Sequence, residues 1–366
     1  MFRRLLILLP LVLSIISCTE DQDKNPSASI PSTYTFERNG VSTVDFSGQT
    51  TRFDMLSEMV AYIKEANAGT SLSEQKLLEM YSNNNFPFSD TSLNNSDKEL
   101  RNKTYTQEIS FFEGILSDIA QASQSAAYAT QGSAGLILRS ANNYILVNEK
   151  GQEYAQLISK GLMGAVFLNQ IYNEYLTDAK TGSGVDNKDL IEGKNYTLLE
   201  HHFDEAFGYW GVNVAFDANG KNQYWGNYSL GDEGYPPASE ALKNAFLTCR
   251  TAIINKDYEA LDLQKAIIYK QFEITVAAGV IRYIDEVLEN INNPDKGEMF
   301  HAASEGLGFI WALKYNPYKT ISDEQLDQLM NTTFGDSADF WTISADNLNK
   351  SRALLISLFP ELDSSK

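Results

Sequence analysis

Residues 153–176 read Glu153-Tyr154-Ala155-Gln156-Leu157-Ile158-Ser159-Lys160-Gly161-Leu162-Met163-Gly164-Ala165-Val166-Phe167-Leu168-Asn169-Gln170-Ile171-Tyr172-Asn173-Glu174-Tyr175-Leu176, and this stretch decides the fold. Tyr154, Leu157, Ile158, Leu162, Ala165, Val166, Leu168, Ile171 (or Tyr172) and Tyr175 recur every three or four residues, the period of a helix with one face in a core. Gly161 and Gly164 each cost about 1 kcal/mol relative to Ala inside a helix, so their presence implies close packing of a neighbouring element.

Working outward, the same period returns in both directions. Upstream, Phe53, Met55, Leu56, Met59, Val60 and Ile63 mark one amphipathic stripe, and a second runs from Ile109 to Ile119. Downstream, a polar break at 177–184 and loop-like text to about Asn195 precede a helix from Leu198 to Trp210. Residues 212–236, with four Gly and the first of two adjacent Pro, read as a long surface loop. Helices resume at Ser239. A long one runs from Ala260 to Ile291 and stops at Asn292-Asn293-Pro294. Others follow at about 296–315, 322–331 and 337–358. Strand-like text is confined to residues 32–52, where Tyr34-Thr35-Phe36 and Ser42-Thr43-Val44-Asp45-Phe46 form an extended lead-in or short hairpin bounded by Gly40 and Gly48; no strand is expected after residue 50. The expected fold class is all-α, with a short extended N-terminal segment.

The chain has 366 residues, 29 Lys+Arg against 48 Asp+Glu, and 43% hydrophobic residues. That apolar fraction suffices for a large core and excludes global disorder. The net charge of −19 argues against a nucleic-acid partner, because phosphate backbones are met by basic patches. Two cysteines make no disulfide framework.

The N-terminus reads as an address. Arg3 and Arg4 precede an apolar run from Leu5 to Ile16, too short for the roughly 20 residues of a membrane span. Ile15-Ile16-Ser17-Cys18 resembles a bacterial lipobox, which implies cleavage of a 1–17 signal peptide and lipidation of Cys18. Residues 18–33 are then a polar tether and 34–366 the helical domain. The acidic residues after Cys18 resemble surface-export signals of some Gram-negative lineages, so the expected location is the outer membrane, lipid-anchored, on its periplasmic or cell-surface face. Cys249 is left as a buried small apolar residue.

All three histidines fall in two similar segments. Glu200-His201-His202-Phe203-Asp204-Glu205-Ala206-Phe207-Gly208-Tyr209 and Phe300-His301-Ala302-Ala303-Ser304-Glu305-Gly306-Leu307-Gly308-Phe309 share His-x-x-x-Glu, a small residue, an apolar one, Gly and an aromatic. Each follows a long helix, the pattern of a duplicated helical bundle with motif helices at about 197–211 and 296–315. On a helix, positions i and i+4 differ by about 40° and i and i+3 by about 60°. His201 and His202 therefore both flank Glu205, and His301 stacks over Glu305. Imidazole plus carboxylate is a competent ligand pair for a metal ion; a buried hydrogen bond locking two bundles together, or a solvated helix face, satisfies the same text. If the motif turns near 202 and 301 face each other, all three histidines fall in one site.

His202-Phe203-Asp204-Glu205, followed by an aromatic stretch ending Trp210-Gly211, resembles the His-x-x-Glu signature of the imelysin family. Lys160-Gly161-Leu162-Met163-Gly164-Ala165 and Val44-Asp45-Phe46-Ser47-Gly48-Gln49 with Arg52 are similar to uncharacterised imelysin-like lipoproteins, so the resemblance spans about residues 40–315. It implies two helical bundles, secretion or lipid anchoring, a link to iron uptake, and metal ligands at His202 and Glu205. Two departures stand out: Glu200 occupies the place of the family's Gly, and the aromatic run is one residue longer.

These readings imply a non-enzymatic, membrane-anchored protein that binds a metal ion, iron favoured over zinc, or a metal complex. His202 and Glu205 would be ligands, with His201, His301 and Glu305 as further ligands or orienting partners. Its partners would be the lipid membrane through Cys18 and an outer-membrane receptor or other uptake components. Arg52, Arg282 and Asp204 are candidate ligand-binding residues, and Arg250 a candidate ion-pair partner. The alternative is a surface glycan- or protein-binding lipoprotein in which the His–Glu pairs are structural and Tyr224-Trp225-Gly226-Asn227-Tyr228 contacts the ligand. The imelysins' peptidase label is a third reading, with no His-Glu-x-x-His or Gly-x-Ser-x-Gly text to support it.

Overall fold

The computed structural model describes residues 28–230 and 235–363; the leader, Cys18 and most of the tether lie outside these. Among the described residues the fold is all-α, with two small antiparallel hairpins. The first pairs β1 (Glu37–Arg38) with β2 (Val41–Ser42). Asn39 and Gly40 both have positive φ, at 55° and 73°, as a two-residue hairpin turn requires. Helix α1 (Ser47–Lys64) follows, then α2 (Glu74–Ser82), α3 (Thr91–Asn94) and α4 (Ile109–Ala122). Strands β3 (Gly135–Ser140) and β4 (Asn143–Val147) make the second hairpin, with Leu136 opposite Leu146 and Ile137 opposite Ile145.

The decisive helix, α5 (Tyr154–Leu162), continues through wider π turns at Met163–Leu168 and Ile171–Tyr175. It is buried on every side over much of its length, and its glycines are packing sites as expected. A Cβ on Gly161 would meet the Phe112 ring at 2.8 Å, and one on Gly164 would meet Tyr315 at 2.9 Å and the Ala312 backbone at 3.0 Å. Short α6 (Asp178–Thr181) leads to the first motif helix, α7 (Leu198–Trp210), which starts with a Thr197–Glu200 capping box. After α8 (Trp225–Leu230) come α9 (Pro236–Asn255), α10 (Tyr258–Asn290) and the second motif helix, α11 (Gly297–Ala312). Helices α12 (Asp323–Thr332) and α13 (Ala345–Leu358) finish the chain. One hydrophobic core runs from Tyr34 to Leu362. Among the described residues no helix is long and apolar enough to cross a membrane.

Three expectations are corrected. Residues 135–147 form a hairpin where no strand was expected; two short apolar runs flank Asn142, whose φ of 60° makes the turn. Residues 212–236 are not a plain surface loop, because Phe216, Trp225 and Tyr228 are buried and α8 forms among them. The last helix starts at Ala345 rather than 337, since Ser337 takes a positive φ and tight 3₁₀ turns occupy 336–342.

The N-terminal strip is fastened by a buried ion network. Arg250 on α9 has 0% exposure; its Nε donates to Asp204 Oδ1 (2.9 Å), Nη1 to Glu200 Oε1 (3.1 Å) and Nη2 to Thr43 Oγ1 (2.9 Å). The Tyr34 hydroxyl donates to Asp204 (2.9 Å), Arg38 donates to both Glu200 oxygens, and Tyr34 stacks on Phe207. Burial works to raise both carboxyls. At Glu200 the Arg250 charge, the Thr197 N–H and Arg38 outweigh it and hold the carboxyl below its usual range; at Asp204 burial prevails and pushes it up to about 6. Replacing Arg250 by Met strands two carboxylates in the core, so Arg250→Met is expected to destabilise the protein by about 3–5 kcal/mol. Urea denaturation at pH 7 measures this, and a loss below about 1 kcal/mol would show the network to be dispensable.

Candidate functional site

The long helix presents one motif helix at each of its ends. Toward its C-terminus, the Tyr175 hydroxyl and Gln49 Nε2 both donate to Glu205 Oε1, each at 3.1 Å. The His201 ring stacks on Tyr196 at 4.7 Å, and its Nε2 lies 3.9 Å from Glu205 Oε2. His202 Nδ1 sits 2.8 Å from the Lys180 carbonyl. A carbonyl only accepts, so Nδ1 carries the proton and Nε2 holds the free lone pair. Burial lowers the His202 pKa from its ordinary value, which keeps the ring neutral at pH 7. Lys103 lies over the Tyr175 ring at 5.8 Å, and both it and Arg52 sit within electrostatic reach of this turn.

At the other end, Glu153 caps the start of the long helix and is 1% exposed. Its Oε2 lies 2.5 Å from His301 Nδ1, and its backbone N–H donates to Ser304 Oγ. His301 Nε2 is 3.5 Å from Glu305 Oε2, and Glu305 Oε1 is 3.0 Å from Lys160 Nζ. Lys160 donates to the Tyr228 hydroxyl (2.6 Å), which is 2.8 Å from the Tyr283 hydroxyl. Burial alone would depress the Lys160 ammonium, but Tyr228 and Glu305 outweigh it and raise it above the ordinary lysine value. A polar chain thus runs Glu153–His301–Glu305–Lys160–Tyr228–Tyr283 through the second motif.

The motifs therefore do not face each other, which corrects the expectation of one site holding all three histidines. Glu205 reaches Tyr175, while His301 and Glu305 reach Glu153 and Lys160. At about 1.5 Å per residue along the shared helix, the two turns lie on the order of 20–30 Å apart. Among the described residues no group of three or more His, Cys, Asp and Glu is placed to hold a metal ion. Asp204 is fully buried by Tyr34 and Arg250, so it is a structural carboxylate and not a ligand contact. Arg52, 5% exposed, donates to the Glu99 and Gly48 carbonyls. Arg282 pairs with Glu286 one turn along α10. Cys249 is buried, as expected.

A cavity of about 820 Å³ opens at the second motif, within the ~300–1,000 Å³ of small-molecule sites. Lys160 and Glu305 lie in its wall, with Ser57 and Val60 from α1 and Gln223, Tyr224 and Asn227 from the segment before and within α8. Trp225 faces the core instead: it is 0% exposed and its indole N–H donates to the Met163 carbonyl at 2.8 Å. Its place in the aromatic segment suggested ligand contact, but its work is to hold α8 against the long helix. Glu305 of the second motif and Tyr224, Asn227 and Tyr228 of the aromatic segment are the parts of the wall that the sequence singled out; Lys160, Asn219, Gln223 and the α1 residues join them only by packing.

Fold and site together define an all-α protein with two separated His-x-x-x-Glu turns and a polar cavity at the second. Residues 31–356 match the family described as Domain of unknown function (DUF4856), and the chain belongs to that family. No curated protein and no solved structure gives a significant match.

Proposed function

We propose that this is a lipid-anchored, non-enzymatic binding protein whose small-molecule ligand occupies the cavity at the second motif. The observation that carries the reading is the cavity itself, with Lys160 and Glu305 in its wall and room for a drug-sized ligand. Binding rather than turnover is favoured because, among the described residues, the His301 ring faces the Glu153 and Glu305 carboxylates and no hydroxyl or thiol nucleophile is hydrogen-bonded to it. The lipobox-like text at Cys18 supports anchoring to the outer membrane, and with it a place in nutrient uptake beside a receptor.

A ligand that binds only the folded state adds RT ln(1 + [L]/Kd), about 2.7 kcal/mol at a hundredfold excess over Kd. Thermal melts of the mature chain against pools of sugars, amino acids, nucleosides and iron chelates are expected to find a stabilising pool. Asn227 is exposed at the cavity mouth, so Asn227→Trp should abolish that shift while leaving the unliganded melt in place. If no pool stabilises the wild type, the reading falls. For the anchor, Cys18→Ser is expected to move the protein from the membrane to the soluble fraction; retention in the membrane would remove the lipid attachment.

The imelysin-like metal reading is supported at the first motif by one observation. His202 is neutral and oriented by the Lys180 carbonyl, the arrangement that prepares an imidazole for a metal. Glu205 would be its partner, with iron favoured over zinc. Two protein ligands with Lys103 and Arg52 nearby make a weak cation site, so any metal would arrive as a complex with ligands of its own. Calorimetric titration with ferric citrate and with zinc, on wild type and on His202→Ala/Glu205→Ala, decides: heat lost in the double variant supports the reading, and equal or absent heat in both proteins removes it.

A further inference from the structure

The ligand class is legible in the cavity wall. We infer, resting on the binding reading above, that the cavity takes a neutral, hydroxyl-rich ligand, an oligosaccharide without charged groups. Three observations converge on this class.

The first is charge. Lys160 and Glu305 are the charged lining residues, and they are paired with each other at 3.0 Å with side chains 12% and 13% exposed. Lys160 spends a further donor on Tyr228 and lies over its ring at 4.9 Å. Glu305 also faces His301. An anionic or cationic ligand would therefore find no unpaired counter-charge in this wall, and recruiting one would mean breaking a mostly buried ion pair, which is strongly unfavourable.

The second is the kind of polar group on offer. Asn219, Gln223 and Asn227 each present an amide that both donates and accepts. Adjacent sugar hydroxyls also donate and accept, so amides match them in either direction. The side-chain amides of Asn219 and Asn227 are exposed and have no hydrogen bond to the described residues, whereas Gln223 reaches only a long contact to Asp54 (3.4 Å). Ser57 and Ser159 add hydroxyls, and Tyr224, Val60 and Met163 add apolar surface for the C–H faces of sugar rings. A purely apolar ligand would desolvate those amides without compensation.

The third is preorganisation. Asn213 and Asn222 hold the preceding loop through bonds to each other and to the Asp217 carbonyl. Tyr224, at φ 48°, is pinned by its hydroxyl to the Phe53 carbonyl and to Ser57 Oγ. The wall is thus built before a ligand arrives, which lowers the ordering cost of binding.

The test is calorimetry on the mature chain with neutral trisaccharides of α- and β-linked glucose, mannose, galactose and xylose, alongside galacturonic acid trisaccharides. At least one neutral trisaccharide is expected to bind, with affinity unchanged between about 50 and 500 mM NaCl. The Asn219→Ala/Asn227→Ala variant, altered at exposed positions and checked by circular dichroism and melting, should weaken it at least tenfold. Binding of the acidic sugars alone, with affinity falling as salt rises, overturns the class while leaving the cavity reading intact. The class is likewise overturned if a non-sugar pool stabilises the protein, Asn227→Trp cancels that effect, and no neutral trisaccharide binds. Full-strength neutral-sugar binding by the double variant overturns the assigned wall. Silence from every sugar and every pool removes the cavity reading itself.

Discussion

Taking a guanidinium out of water costs several kcal/mol, and a fold that does so must return hydrogen bonds and opposite charge to it. Arg250 sits at 0% exposure and receives both: Asp204 and Glu200 from α7, and Thr43 from the strip that precedes α1. Three separate stretches of chain must be in register for this to work, so the network specifies as much as it stabilises. It sets the rotation of α7 about its own axis. With Glu200 and Asp204 turned to the core, helical geometry at about 100° per residue leaves His201, His202 and Glu205 on the remaining faces. The exposure of the first motif is thus a consequence of where Arg250 is buried.

The helices were legible because burial imposes a period that local text carries. The stripe in 153–176, the two glycines and the long run from Ala260 to Ile291 each record one helix's contact with its neighbours, and each appears in the structure close to where its text places it. The β3–β4 hairpin had a local signal too, apolar runs on either side of Asn142, but it is short and sits in a chain otherwise dominated by the 3.6 period. Within the aromatic segment at 224–228, Tyr224, Asn227 and Tyr228 line the cavity while Trp225 turns into the core, a difference that local text does not carry. A tryptophan among Gly, Asn and Tyr looks the same whether it faces solvent or core, and only the Met163 carbonyl waiting on another helix decides between them.

The site was legible to the same extent and with the same limit. His201 with Glu205 and His301 with Glu305 follow from i, i+4 spacing, and both pairs are close in the structure. What each pair does depends on a third partner that spacing cannot supply. Glu205 receives neutral donors, Gln49 and Tyr175, whereas Glu305 receives the ammonium of Lys160. The difference lies in which residue of the long helix is presented to each motif, a tyrosine at 175 and a lysine at 160.

Similar local text therefore yields unlike chemistry at the two ends of one helix. At the first end the carboxylate accepts from an amide and a phenol, and cationic side chains stand nearby; at the second it is neutralised by a lysine that also binds Tyr228. That lysine adds a polar link from the motif to α8, beside the packing of Phe309 on Trp225 and Tyr228. Where the link exists, residues 218–228 line a cavity together with residues of α1 and the long helix. Two helices with similar His-x-x-x-Glu text can therefore play unlike parts, one beside a buried ion network and the other in the wall of a cavity, because the helix between them carries a different side chain to each.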